Sequence, residues 1–297
     1  MRRCGMAMFL AGVVAVSSMA ANLPMLTGPG NLVIWVDAGN SDSVIVDDST
    51  GQVAQWKNLA EDSVFGITTF ARHTSTGPTL ATLPNDIPVI RFDGGNILRA
   101  DAPMDEVRSA GTDWTFFFVL ANMTDTKGLF DSGQGAPGPL RFHNNTNYVT
   151  MQDDDDKGAI GGIPVALPED TSRGLIFSFS HGEVIDDENR ACRVWDGFIN
   201  GEGYEGSFAS YEQRYTHVTW RNPQFGGING NGVFYGDIAE VIIFQGVLND
   251  TDRLAVETYL AGKYGIGIPE PATMTLLALG GLALLRRQSS SRRTRSS

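Results

Sequence analysis

From Leu23 to Ile266 the apolar residues come in short runs rich in Val, Ile, Phe, Trp and Thr, each bounded by Gly, Asn, Asp or Pro. Such runs, with no helices alternating between them, close into an all-β, two-sheet antiparallel sandwich or jelly roll rather than a parallel α/β sheet. The expected strands are Leu32–Val36, Val89–Phe92, Thr115–Leu120, Gly128–Phe130, Leu140–His143, Tyr148–Met151, Leu175–Ser180, Arg193–Trp195, His217–Trp220 and Val233–Phe244. Phe116–Leu120 is apolar at every position, which suits a strand covered on both faces, and Ile238–Phe244 is similar. Asp93-Gly94 and Asp196-Gly197 each follow a strand and predict hairpin or bulge turns. Glycine, 35 of 297 residues, lacks the every-third spacing of collagen and marks tight turns. Residues 145–173 read as a variable loop.

One helix is expected, Asp250 to Tyr264. Asn249 is its N-cap, and Asp250 and Asp252 sit in the first turn, where the helix dipole favours acids. Val256, Tyr259, Leu260 and Lys263/Tyr264 form one stripe, and Gly265 supplies the left-handed stop. That stripe predicts packing against the outside of a sheet.

The two ends carry a different kind of information. Arg2-Arg3, an apolar stretch from Met6 to Val16, and small residues up to Ala20 form an export signal cut after Ala20. At the other end, Pro269-Glu270-Pro271 precedes an apolar segment and the cluster Arg286, Arg287, Arg292, Arg293 and Arg295. The apolar segment is short of the ~20 residues of a full span, but snorkelling arginines make a thin transmembrane helix feasible. The basic cluster holds that end in the cytoplasm, and the body then faces outward. The expected organisation is a signal peptide at 1–20, a single body at 21–266 and a sorting segment at 267–297.

The formal charge of −12 understates the acidity of that body. The ends take 7 of the 22 basic groups and 1 of the 34 acidic ones, leaving 15 against 33, a net of −18. So acidic a body repels phosphate backbones, and nucleic acid is not an expected partner. Loss of the signal peptide removes Cys4, leaves Cys192 alone and rules out an intramolecular disulfide.

No catalytic constellation emerges. Gly133–Gly138 and Gly201–Gly206 fit a G-x-G-x-x-G pattern, but neither opens a helix, so both read as turns. Glu183-Val184-Ile185-Asp186-Asp187-Glu188 superficially resembles a glycosidase strand, yet strand alternation sends Glu183 and Asp186 to opposite faces. It reads as a charged hairpin tip. His73, His143, His181 and His217 are scattered, without metal-ligand spacing. Calcium is the candidate cofactor: Asp153, Asp154, Asp155 and Asp156 cluster oxygen ligands, though without a D-x-D-x-D-G loop. Tyr204, Tyr211, Tyr215 and Trp220 form a candidate surface for stacking on sugar rings.

Two resemblances follow from these residues. Pro269–Pro271, Thr273–Leu285 and Arg286–Arg295, in that order at a chain end, closely resemble the PEP-CTERM sorting signal of Gram-negative bacteria. The resemblance implies recognition by an exosortase-type membrane enzyme, with the tail removed near the motif. The body is similar to bacterial laminin-G-like, concanavalin A-like domains in several blocks. These are Leu32–Ala38, Val89–Gly94 with Leu98, Val194–Gly197, Phe234–Phe244 and Tyr259–Tyr264. That resemblance implies a jelly roll that binds carbohydrate or protein, sometimes with calcium. The expected protein is therefore a non-catalytic, exported surface or matrix component that binds an extracellular glycan or surface protein. The alternatives are a polysaccharide-active enzyme on the same fold and a purely structural matrix component.

Overall fold

The computed structural model describes residues 23–268, apart from 29, 62, 104–112, 126–127, 132–139, 145–147, 156–157, 161–164, 167–169, 186–190, 204–222, 229–230 and 233. In chain order the strands begin with β1 (Asn31–Asp37), β2 (Val44–Asp47), β3 (Gln52–Lys57), β4 (Thr69–Arg72), β5 (Thr79–Thr82), β6 (Pro88–Asp93) and β7 (Leu98–Ala100). There follow β8 (Trp114–Asp125), β9 (Phe130–Asp131), β10 (Leu140–Asn144), β11 (Tyr148–Asp155), β12 (Gly158–Ile160), β13 (Val165–Ala166), β14 (Leu175–Ile185) and β15 (Ala191–Ile199). The last are β16 (Glu202–Gly203), β17 (Gln224–Phe225), β18 (Gly227–Ile228), β19 (Asn231–Gly232) and β20 (Tyr235–Gln245), before the helix α1 (Asp250–Tyr264).

All pairings are antiparallel and, apart from the separate β18–β19 pair, fall into two layers. In the first, β20 has β8 along one edge, followed by β14, β15 and β16. Its other edge is shared by β1 over Glu240–Gln245 and by β6 over Tyr235–Ile238, with β5 outside β6. The second layer runs β2–β3–β4–β7–β17–β9–β10–β11, and β12 and β13 flank β11. The pair Gln52–Thr79 stitches the layers together. The result is the expected antiparallel sandwich with one C-terminal helix.

Strand alternation divides the apolar residues between two cores. Phe116, Phe118 and Leu120 point between the layers, while Phe117 and Val119 point to the outer face, under α1. β20 does the same, with Ile238, Val241 and Ile243 inside and Ala239, Ile242 and Phe244 outside. Both strands are covered on both faces, as their apolar runs, interrupted in Ile238–Phe244 only by Glu240, predicted. Between the layers Trp56, Phe70, Phe130 and Phe225 form a connected aromatic cluster, with Phe70 and Phe225 centroids 4.7 Å apart. Gly226 follows Phe225 at φ +88, and a Cβ there would overlap the Phe92 ring and lie 2.5 Å from the Asn96 carbonyl oxygen.

The helix ends where its caps place them. The Asn249 side chain accepts the Asp252 amide at 2.9 Å, and Gly265 adopts φ 65. Val256, Leu260 and Tyr264 are buried against the sheet. Beyond α1, Ile266 is buried and Ile268 is half-buried against the same outer core. Pro269 is the next residue.

Four local expectations are corrected. Asp93-Gly94 is a turn, but it leads from β6 in one layer to β7 in the other, so it is not a hairpin. Asp196-Gly197 lies inside β15, because the β14–β15 ladder continues through Phe177–Ile199. The segment read as a variable loop contains β11, β12 and β13, so Asp153–Asp155 sit on strand backbone paired with β10 and β12. Strands β2 to β5 and β7 were not anticipated: they are short, and all but β2 lack the dense aliphatic and aromatic runs that mark the others.

Candidate functional site

Three polar clusters lie on the outer face of the first layer, each placed there by strand alternation or a bulge. The first sits between β1, β20 and α1. Register irregularities in β1 and β20 put Trp35, Asp37 and Glu240 on the helix side. Lys263 Nζ donates to Asp37 Oδ2 and Glu240 Oε2, both at 2.7 Å. Glu240 also accepts from Trp35 Nε1 at 2.7 Å, Tyr264 Oη at 2.6 Å and Tyr259 Oη at 3.3 Å. Burial alone pulls the Lys263 ammonium down, but the facing carboxylates of Glu240 and Asp37 outweigh it and hold it above its ordinary value. Burial also pushes the phenols of Tyr259 and Tyr264 up, so both remain hydrogen-bond donors. A carboxylate has about four lone-pair sites. Those of Glu240 are taken by Trp35, Tyr259, Lys263 and Tyr264, and the residue is fully buried. It cannot serve as an acid or base toward a substrate; the cluster fastens α1 to the sheet.

The second cluster uses the same logic further along the helix. Arg253 Nη1 donates to Glu257 Oε1 and Oε2 at 2.7 and 2.9 Å, and Ser178 donates to the same carboxylate. The Arg253 guanidinium lies 3.6 Å from the Phe198 ring centroid. Glu257 is fully buried, so this cluster is also internal.

Only the third is accessible. The fully buried Asp237 on β20 holds Arg91 of β6 in a two-pronged pair, Nε and Nη2 each at 2.8 Å. It also accepts from Asn122 Nδ2 at 2.7 Å. Asn122 stands at φ 48, a left-handed conformation unusual for a residue with a Cβ. Its position in the β8–β20 irregularity turns its side chain toward Asp237. The Arg91 side chain is 48% exposed. Two residues before Asp237, Tyr235 is 46% exposed and lies across Gly94, where a Cβ would fall 2.1 Å from the ring.

A fourth contact ties down the start of the body. Asp252 accepts the amides of Thr27 at 2.9 Å and Gly28 at 2.7 Å, the Thr27 hydroxyl at 3.0 Å and Asn249 Nδ2 at 2.9 Å. These hydrogen bonds, led by the Thr27 amide, hold its carboxyl below the ordinary 3.8. A depressed folded-state value means that this stabilisation is complete above about pH 4 and disappears as pH falls through the lowered value. Hydrogen exchange followed from pH 5 to pH 2 will therefore show Thr27 and Gly28 losing protection at the acid end, before the β20 amides. Simultaneous loss would refute a local latch.

Of the residues expected from sequence to bind a ligand, Asp153, Asp154 and Asp155 lie on β11. Tyr204, Tyr211, Tyr215, Trp220 and Asp156 lie outside the described residues, as do Pro269, Glu270, Pro271 and the arginines from Arg286 to Arg295. No group of three or more metal-ligating side chains occurs among the described residues. Nor, among them, is any helix long and apolar enough to cross a membrane. Sequence reading missed the Asp37–Glu240–Lys263 and Arg91–Asp237–Asn122 clusters. The available signal was a charged residue inside an otherwise apolar strand, visible at Asp237 and Glu240.

Residues 267–293 match the PEP-CTERM protein-sorting motif. The chain carries an exosortase-type sorting signal. That motif marks an exported protein directed to the cell envelope or surface. No curated protein matches the chain significantly. Among solved structures, domain 4 of AbnA, a GH43 extracellular arabinanase from Geobacillus stearothermophilus in complex with arabinotriose, is 11% identical. The match covers 77% of this chain and 98% of that one, with a TM-score of 0.50. An arabinofuranosidase complexed with arabinofuranosyl-alpha-1,2-xylobiose is also 11% identical, over 80% of this chain and 60% of that one, TM-score 0.50. Trypanosoma rangeli sialidase is 12% identical over 78% of this chain but only 33% of its own, TM-score 0.47. At these identities the likeness is one of fold.

Proposed function

We propose that the protein is a non-catalytic surface or matrix component whose laminin-G-like sandwich binds an extracellular glycan or surface protein. Before processing, its C-terminal segment holds it in the inner membrane, and an exosortase-type enzyme removes the tail near Pro269–Pro271. The observation that carries the binding reading is the state of the buried carboxylates. Asp37, Asp237, Glu240, Asp252 and Glu257 each accept hydrogen bonds from donors within the fold. An acid–base pair for glycoside cleavage needs carboxyl groups facing the substrate. An exposed aromatic, Tyr235, on a sandwich suits binding instead.

Processing and binding are tested separately. Mass spectrometry of the envelope form will find a C-terminus at or near Pro269–Pro271, and Glu270→Ala will retain the basic tail. An intact tail on the wild-type protein would overturn the sorting reading. On a panel of polysaccharides the protein will be retained without releasing product; detectable depolymerisation would make it an enzyme.

A further inference from the structure

We propose that the outer-face patch around Tyr235 is a subsite for one unit of a neutral glycan, stacked on the Tyr235 ring and hydrogen-bonded by Arg91, Asn122 and Asp93. The inference rests on the binding reading above and names its site and ligand class.

Four observations converge. Tyr235 is a large aromatic left nearly half exposed, on a strand whose ten other residues are all buried. It is held in place, because one side of the ring covers the backbone of Gly94. An aromatic face fixed in this way and open on its other side presents an apolar platform to the C–H face of a sugar ring. Register then places polar groups beside it: Asp93 lies directly opposite Tyr235 on β6, and Arg91 lies opposite Asp237. Asp93 is exposed, and one of its oxygens, Oδ1, receives the Gly95 amide at 3.0 Å.

The buried Asp237 explains why the polar groups are preorganised. It grips one edge of the Arg91 guanidinium, leaving Nη1 on the other edge directed away from the pair. It also fixes Asn122, which adopts a left-handed conformation to reach it. A strained residue aimed at a buried carboxylate beneath an exposed arginine is costly unless the arrangement serves a purpose. Donors and acceptors ranked beside an apolar ring match the alternating hydroxyls and C–H face of a pyranose or furanose.

Charge selects the ligand. Arg91 and Asp237 neutralise one another, Asp93 adds a negative charge, and the body as a whole is strongly acidic, so polyanionic glycans are repelled. A protein partner would need an apolar core within roughly 1,000 Å² of interface. A single aromatic among charged groups does not supply one.

The test is affinity electrophoresis of the full-length chain in detergent through gels containing arabinan, xylan, β-glucan or galactomannan, with polygalacturonate as the charged comparison. Retardation is expected in at least one neutral polymer and not in polygalacturonate. Tyr235→Ala will weaken that retardation about tenfold or more, Tyr235→Phe will keep it within about threefold, and Leu80→Ala on β5 will leave it unchanged. Neutral-glycan retardation unaltered in Tyr235→Ala would overturn this subsite and leave the binding function standing. Retardation by polygalacturonate alone would overturn the ligand class. No retardation by any polymer would overturn both the subsite and the glycan form of the proposed function. Circular dichroism of Tyr235→Ala must match the wild type, and the Tyr235→Phe rescue separates ring stacking from a general loss of fold.

Discussion

Lys263→Met will destabilise the protein by about 3–5 kcal/mol, the usual result of removing one partner from a buried ion pair. The ammonium is the shared counter-ion of Asp37 and Glu240, whose side chains are 9% and 0% exposed. Methionine fills much of the same volume, so the loss will reflect two carboxylates left facing each other rather than a cavity. In urea the midpoint will fall while the slope stays near its wild-type value. Adding Asp37→Asn and Glu240→Gln to Lys263→Met will recover part of the loss, since no charge is then stranded. A single variant within about 1 kcal/mol of wild type would mean that the cluster is hydrated and that α1 is held by its apolar stripe alone. The same ammonium gives a signature at high pH. Its value is raised in the folded state, so its stabilisation is complete below the ordinary 10.5 and fades as pH climbs through the elevated value.

Gly226→Ala is the second large effect, expected at about 3 kcal/mol or more from backbone strain together with overpacking. The φ of +88 is foreign to residues with a Cβ. The added methyl group also meets the Phe92 ring and the Asn96 carbonyl oxygen. The ring can yield, but the carbonyl belongs to the turn between β6 and β7. Gly226→Ala with Phe92→Leu will therefore restore only a fraction of the thermal midpoint. Full restoration would show that the side-chain overlap was the whole effect and that the backbone tolerates the conformation.

Much of this architecture was legible in the sequence, for identifiable reasons. Phe116–Leu120 and Ile238–Phe244 announced buried strands because a strand covered on both faces carries apolar residues at nearly every position. Asn249 and Gly265 bounded α1 because caps are local chemistry. Asp196-Gly197 misled because a dipeptide that favours turns was overruled by the β14–β15 ladder on both sides of it. Strands such as Thr79–Thr82 carried little signal, since their residues are mostly exposed and their pairing partners lie elsewhere in the chain. The clusters around Glu240 and Asp237 were hidden for a related reason. Asp37 and Lys263 are far apart in sequence, as are Arg91 and Asp237; the packing of α1 on the sheet joins the first pair and the register of β6 on β20 the second. The aromatic residues that sequence favoured for sugar stacking fall outside the described residues, whereas Tyr235 was absorbed into an expected strand.

The seating of Ile266 and Ile268 on the outer core reaches to the residue before Pro269. There is no slack between the folded wall and the sorting motif. From Ile268 to Ala272 the backbone extends at most about 14 Å, so removal of the tail as proposed requires a cut within that reach of the outer core.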